Sequence, residues 1–488
     1  MIRQRCHPYF CSYCKAYPCR QWCGLTPSKA CGRCNNLVQN PSFETDLSQW
    51  ETHNVTTNEG IPFEGTQAAR LGPGEANMYQ DISLSKLNCM PLLLSFNAVS
   101  PTSNQFNGDL LAEVLWLDAS RNIIGTGLSL FIKNGRITGI DLTYFDITDR
   151  PPANAAWARL QFSKAKGSSS DMILIDQVIL TPVSSINLLQ NPGFEAGLNQ
   201  WTTASFDSSY ALPFAGGGKA QVTRADTMYQ DVLIGHFPKN STFLLSFAAS
   251  ANGEASLSVE VRWLDALDNP TPTGGTGLYL EIPAQTLAAQ ENYLSYLDIT
   301  GPAPLGAFKA RIFFSVFVTE GTTLTIDQVI FARTATNNLV KNPSFIEGLD
   351  NWIHDNVSLF AGNNIYEGNV DALAADTGGS LFQDIPLVNA VGRCFLFNCG
   401  LGFISNGGGS ETPQMLIQVL WLDKNGMQIG LGMSLTCLVT GGRPNWFVYT
   451  GITEPAPFGT AAARLLFTKP SSQNIAVAID KVVFGCLV

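Results

Sequence analysis

The stretch NPSFETDLSQW at residues 40–50 returns as NPGFEAGLNQW at 191–201 and as NPSFIEGLDNW at 342–352. The leading Asn recurs every 151 residues. A period of that length is a whole domain, not a solenoid repeat that needs neighbours to fold. The 488 residues also exceed what one hydrophobic core sustains and suggest about three domains. In each copy a Phe (Phe43, Phe194, Phe345) precedes a Trp (Trp50, Trp201, Trp352), with a Leu between (Leu47, Leu198, Leu349). Asn-Pro marks a turn or an extended entry into structure.

Further landmarks recur outward from this opening. EVLWLDA (113–119), EVRWLDA (260–266) and QVLWLDK (418–424) alternate around Val and Trp as half-buried strands do. A Gly-x-Gly follows each, at 125–127, 275–277 and 430–432. No helical pattern comes after it, so it reads as a hairpin or bulge and not as a phosphate loop. ARLQF, ARIFF and ARLLF come next, and each unit closes with LIDQVIL, TIDQVIF or AIDKVVF. Short β-rich runs between turn residues predict an all-β protein: three tandem jelly-roll β-sandwiches at 37–183, 187–333 and 338–488. Short linkers between them, TPVSSIN and ARTATNN, predict a stiff rod.

Residues 1–36 form a separate region. They hold seven of the twelve cysteines: Cys6, Cys11, Cys14, Cys19, Cys23, Cys31 and Cys34. They carry six basic residues and no acid, +6 within a chain of net −10, leaving −16 for the body. An acidic body argues against nucleic-acid binding. Opposite signs suggest that the tail of one copy is drawn to the body of another. A tail with little core needs staples, so disulfides are expected. Seven is odd, so full oxidation sends at least one sulfur outside the tail: to a body cysteine such as Cys486, or to another chain. One free thiol is the alternative. The CxxC pairs Cys11/Cys14 and Cys31/Cys34 with His7 leave a zinc site open. Cys394 and Cys399, five apart on one strand, would face opposite ways and should not pair with each other.

No apolar run is long enough for a transmembrane helix, and the N-terminus lacks the apolar middle of a secretory signal. HExxH, GxSxG and Walker motifs are absent, and the four His are isolated, so no enzyme is expected. The recurring Trp residues read as core. Of the unrepeated ones, Trp22, Trp157 and Trp446, none has a local pattern that declares a cleft.

The NPxFE…L..W opening, the WLD strand and the IDxV closing motif resemble the carbohydrate-binding-module-like, galactose-binding-type jelly roll. More closely they resemble the N-terminal domain of collagen-like triple-helix-repeat proteins of spore-forming Firmicutes. The resemblance implies a structural calcium ion held by the Glu after the opening Phe and the Asp of IDxV: Glu44 with Asp176, and Glu195 with Asp327. Carboxylate oxygens suit such an ion. In the third unit Asp480 is present, but Ile346 stands in the Glu position and Glu347 is displaced by one residue, so that site is expected to be missing. The bland alternative is that these acids cap turns or pair with Arg. The resemblance further implies a subunit of an extracellular or spore-surface fibre or layer. It would be made without a cleaved signal peptide, assembled head-to-tail with itself and locked by tail disulfides. The alternative is a carbohydrate-binding or adhesive surface protein.

Overall fold

The eleven-residue opening folds as a stapled turn. Asn40 takes a left-handed conformation, φ 51°. Its side-chain amide donates to the carbonyls of Asp46 and Ser48, and its side-chain oxygen accepts from Thr45 N. Trp50 Nε1 donates back to Asn40 O at 3.2 Å, and the Trp50 ring packs 5.5 Å from Phe43. Asn191 with Trp201 and Asn342 with Trp352 repeat these bonds. The Asn is therefore the turn's organiser, which explains its strict spacing from the Trp.

The computed structural model describes residues 34–488 apart from 59, 61, 86, 88, 89, 102–107, 168, 169, 273, 291, 363, 406–413, 439–445 and 473. The first unit contains β1 (Glu44–Leu47), β2 (Glu51–His53), β3 (Val55–Asn58), β4 (Ala68–Leu71), β5 (Ala76–Ser83), β6 (Leu92–Val99), β7 (Leu110–Leu117), β8 (Ile123–Ile132), β9 (Leu142–Ile147), β10 (Trp157–Lys164) and β11 (Ile173–Pro182). They form two five-stranded antiparallel sheets, ordered β2-β5-β10-β7-β8 and β3-β4-β11-β6-β9. Both orders recur without change in the second and third units. The fold is three tandem jelly-roll sandwiches. The only helix among the described residues is the five-residue α1 (Thr286–Gln290), and no helix is long and apolar enough to cross a membrane.

Local chemistry accounts for the other landmarks. The recurring Trp residues are buried core, led by Trp116, Trp263 and Trp421. The Gly-x-Gly segment lies within β8 and the third-unit strand Gln428–Leu438 and leads into Thr276–Ile282 in the second unit, and its second Gly makes room for the ring. A Cβ at Gly127 would sit 2.4 Å from Trp116, and one at Gly277 2.4 Å from Trp263. The expected bulge is there too, since the β7–β8 register shifts at Val114/Leu115 and Trp116/Leu117.

The two sheets differ in burial. β10 alternates half-buried and buried, as an outer sheet should. β6 and β11 are buried at every position, as is Ile475–Gly485 in the third unit. Both faces of the inner sheet are covered because the three units pack against one another. The expected rod is thus corrected: the units close into a triangle. β9 and its equivalents Leu294–Ile299 and Trp446–Ile452 meet pairwise at the centre. Ser295 Oγ donates to Thr143 O at 2.6 Å and Thr143 Oγ1 to Val448 O at 2.9 Å. Short linkers restrict distance, and the apolar outer surface of each inner sheet decides that the units fold back together.

Each unit also sends a loop into a neighbour, always in the same rotational sense. Phe63 of the first unit stacks on Tyr449 of the third, centroids 4.3 Å apart. Phe214 of the second stacks on Tyr144 of the first at 4.4 Å, and Tyr366 of the third packs on Tyr296 of the second at 4.7 Å. The Gly two residues later donates its N–H to the same neighbour: Gly65 to Thr436 O, Gly216 to Phe131 O and Gly368 to Glu281 O.

Cys34 is disulfide-bonded to Cys394, 360 residues away. One tail cysteine is therefore satisfied within its own chain, by a third-unit residue and not by Cys486 or another molecule. Cys486 is buried, with Sγ 2.8 Å from Val488 O. Cys394 and Cys399 do not pair; Cys399 is a buried free thiol. Cys6, Cys11, Cys14, Cys19, Cys23 and Cys31, and the zinc alternative built on them, lie outside the described residues.

The ring closure is testable at one residue. Phe214→Ala removes a side chain that is 1% exposed and should cost about 3–5 kcal/mol, seen as a clearly lower melting temperature. An unchanged melt would show that the inserted ring does not hold the units together.

Candidate functional site

The residues expected to hold calcium converge on the inserting loop, and they clamp it. Asp176 sits in β11 beside a bulge that shifts register between Asp176 and Ile179. Its Oδ2 accepts from Phe63 N at 2.8 Å and Glu64 N at 2.9 Å, and its Oδ1 from Gln177 N at 2.7 Å. Glu44 holds the other end: Oε1 accepts from Thr66 N and Gln67 N, Oε2 from Thr66 Oγ1. Asp327 accepts from Phe214 N and Ala215 N, and Glu195 from Gly217 N and Gly218 N. Gly65 is required here, because φ is +73° and a Cβ would lie 2.4 Å from Glu44 Oε1.

A calcium cage needs oxygens aimed at the ion. These carboxylates instead face amide hydrogens, which a cation repels, so the residues do not fit the ion in this arrangement. Among the described residues no group of three or more His, Cys, Asp or Glu is arranged to hold a metal.

The third unit departs as its sequence does. Ile346 is 67% exposed, and Glu347 is exposed, its N–H taken by Asn342 Oδ1 as Thr45 N is by Asn40. No Glu clamp forms. Asp480 still accepts from Glu367 N at 2.9 Å, but close enough to repel it lies Asp371, a second fully buried carboxyl. Lys481 pairs with Asp298 of the second unit at 2.7 Å across the seam. Burial pushes Asp480 well above the usual carboxylate range and Asp371 up to about 8.

The outer sheets carry a constellation not picked out from sequence. In the first unit Arg159 makes two bonds to Asp81, at 2.7 and 3.0 Å, and its guanidinium covers Tyr79 at 4.0 Å. Arg311, Asp231 and Tyr229 repeat this in the second unit, and Arg464, Asp384 and Phe382 in the third. The signal was present: MYQD, MYQD and LFQD recur at 78–81, 228–231 and 381–384, in step with the ARL and ARI runs.

Only the first unit adds Trp157, with Arg121 over its ring at 4.7 Å and bonded to Asp81 at 3.1 Å. The positions equivalent to Trp157 are Lys309 and Ala462. A cleft of about 580 Å³ opens here, lined by Gln49, Glu51, Tyr79, Asp81, Arg121 and Trp157 among others. Carboxylate, amide and guanidinium groups beside aromatic rings can hydrogen-bond a polyhydroxyl ligand. Here, as at the repeated aromatic faces, an Arg lies over the ring, so a ligand would meet the guanidinium as well as the aromatic edge.

No family model matches the chain, and no curated protein matches it. Among solved structures it is similar to the CBM22-1–CBM22-2 tandem of Paenibacillus barcinonensis Xyn10C, with 13% identity over 63% of this chain and 100% of that one, TM-score 0.26. It is also similar to TmCBM61 in complex with β-1,4-galactotriose, with 17% identity over 30% and 99%, TM-score 0.24. A third is the enzymatically active domain of bacteriophage CBA120 tailspike protein 4, with 20% identity over 30% of this chain, TM-score 0.24. The chain spans only about a fifth of that domain, 21% of its length. Its own sheet order defines the protein as a triple β-sandwich.

The buried acid pair sets a pH dependence. A carboxyl near 4 in the unfolded chain and about 8 when folded keeps its proton only in the native state between those values. Stability then falls as pH rises through that window. The melting temperature should drop from pH 5 to pH 8, and Asp371→Asn, which mimics the protonated acid, should flatten the slope. Equal slopes for both proteins would contradict this assignment.

Proposed function

We propose that the chain is a non-catalytic structural subunit of an extracellular or spore-surface fibre or layer. In this reading the three-lobed body is a rigid node and the N-terminal Cys-rich segment is its linking arm. The observation that carries it is the Cys34–Cys394 bond. It roots the arm on the third unit, so pull on the arm is borne by a closed body and not by one hinge. The resemblance to collagen-like spore proteins supplies the expected setting. With Cys34 paired internally, the six remaining tail cysteines are even in number, so parity no longer demands a bond between chains, and the covalent joint rests on measurement. Non-reducing gels should show ladders or material too large to enter, collapsing to the 52.7 kDa chain with reductant, and electron micrographs should show fibres or layers. Monomer under both gel conditions, with isolated particles in micrographs, would end this reading.

A second reading is favoured by one feature, the first-unit cleft with Trp157 and Arg121. It makes the body a carbohydrate-binding surface protein. Titration with a panel of neutral and acidic oligosaccharides should find a ligand whose affinity falls about tenfold or more in Trp157→Ala. Failure of every glycan to bind, or binding indifferent to that substitution, would dismiss it.

A further inference from the structure

The seam between the first and second units holds a hollow of about 570 Å³, lined by Arg136, Lys219, Gln221, Ser250, Asn252, Asn292, Tyr293 and Thr325 among others. Two cations face it within a strongly acidic body. Arg136 is 8% exposed, and all its hydrogen-bond partners are neutral oxygens. Nε donates to Pro213 O at 2.9 Å, Nη1 to Asn292 Oδ1 at 2.7 Å, and Nη2 to Leu212 O. Its guanidinium lies over the Tyr293 ring at 4.7 Å. These contacts fix its direction, and among the described residues none of them is with a carboxylate.

Lys219, the first residue of the strand Lys219–Val222, is half-buried and makes no ion pair among the described residues. Burial first, then the neighbouring Arg136 charge, holds its ammonium below the usual lysine range. Asp327 is the nearby acid, but its oxygens are committed to Phe214 N, Ala215 N and Gln328 N. Two like charges held together in a partly enclosed space cost energy that a bound anion would remove. The rest of the lining mixes hydroxyl and amide groups with Ala251, Ala288 and the Tyr293 ring: Ser250 Oγ and Thr325 Oγ1 lie 2.7 Å apart, with Gln221 and Asn252 alongside.

We propose that this hollow is a binding site for a sugar bearing an oxyanion, with Arg136 and Lys219 gripping the carboxylate or phosphate and the hydroxyl and amide groups meeting the ring. The volume exceeds what a bare ion fills, and hydroxyl and amide groups beside small apolar residues and an aromatic ring suit a sugar, which has polar edges and apolar faces. The site belongs to this seam alone, because Ala68 and Asp371 replace Lys219 in the other units. It is independent of the subunit role and lies apart from the first-unit cleft.

Calorimetric titration of the full chain at constant ionic strength tests it with glucuronate, glucose 6-phosphate and glucose. One or both anionic sugars should bind and glucose should not; which anion binds identifies the acid group. Lys219→Gln should weaken binding about tenfold or more, and Lys219→Arg should retain it. Glucose binding as well as glucuronate, no binding by either anion, or an unaltered affinity in a folded Lys219→Gln protein would overturn the proposal.

Discussion

The carboxylate at the bulge of each closing strand organises the molecule. Asp176, Asp327 and Asp480 are buried, and each accepts a backbone N–H from the loop that carries an aromatic residue into the next unit. A buried carboxylate must be hydrogen-bonded, and a loop with unpaired N–H groups cannot enter an apolar seam. Each meets the other's need. The loop then holds its ring out rigidly, and the ring fills the neighbour. Three repetitions of this arrangement close the triangle.

Closure explains why the inner sheets are apolar on both faces and the outer sheets are not. The outer sheets are left to face solvent, and there the Arg–Asp–aromatic triads lock the surface. The third unit shows how the loop tolerates loss of half its clamp. Where Ile346 replaces the Glu, the seam instead holds Glu367, the Asp371–Asp480 pair and the Lys481–Asp298 ion pair. The three seams share geometry but not chemistry. The first-to-second seam has gathered cations, Arg136 and Lys219; the second-to-third has gathered acids. A tandem chain can diversify its junctions in this way, whereas three identical subunits could not.

Much of this was legible in residue order. The period, the all-β character, the core role of the recurring Trp and the bulge after the WLD strand follow from local pattern. The missing Glu of the third unit was also visible. The rod was a misreading with an available remedy. LLLSFNAV, ILIDQVILTP and AVAIDKVVFG are mostly apolar at odd and even positions alike, whereas ARLQFSK alternates, which points to one sheet per unit covered on both sides. The Arg–Asp triads were likewise written in the repeated YQD or FQD and ARL or ARI segments, but separated by about 80 residues and joined only through strand pairing.

Residue order was sufficient for three sandwiches because strand periodicity, turn chemistry and core composition act over a few residues at a time. It could not say what Asp176 and Glu44 hold, because whether a carboxylate meets a cation or an amide hydrogen depends on a loop some twenty residues from one and over a hundred from the other. Nor could it pair Cys34 with Cys394 or bring Arg136 beside Lys219. Those juxtapositions exist only once the third unit has returned to the first and the second has closed against both, since packing, not chain proximity, sets which surfaces meet.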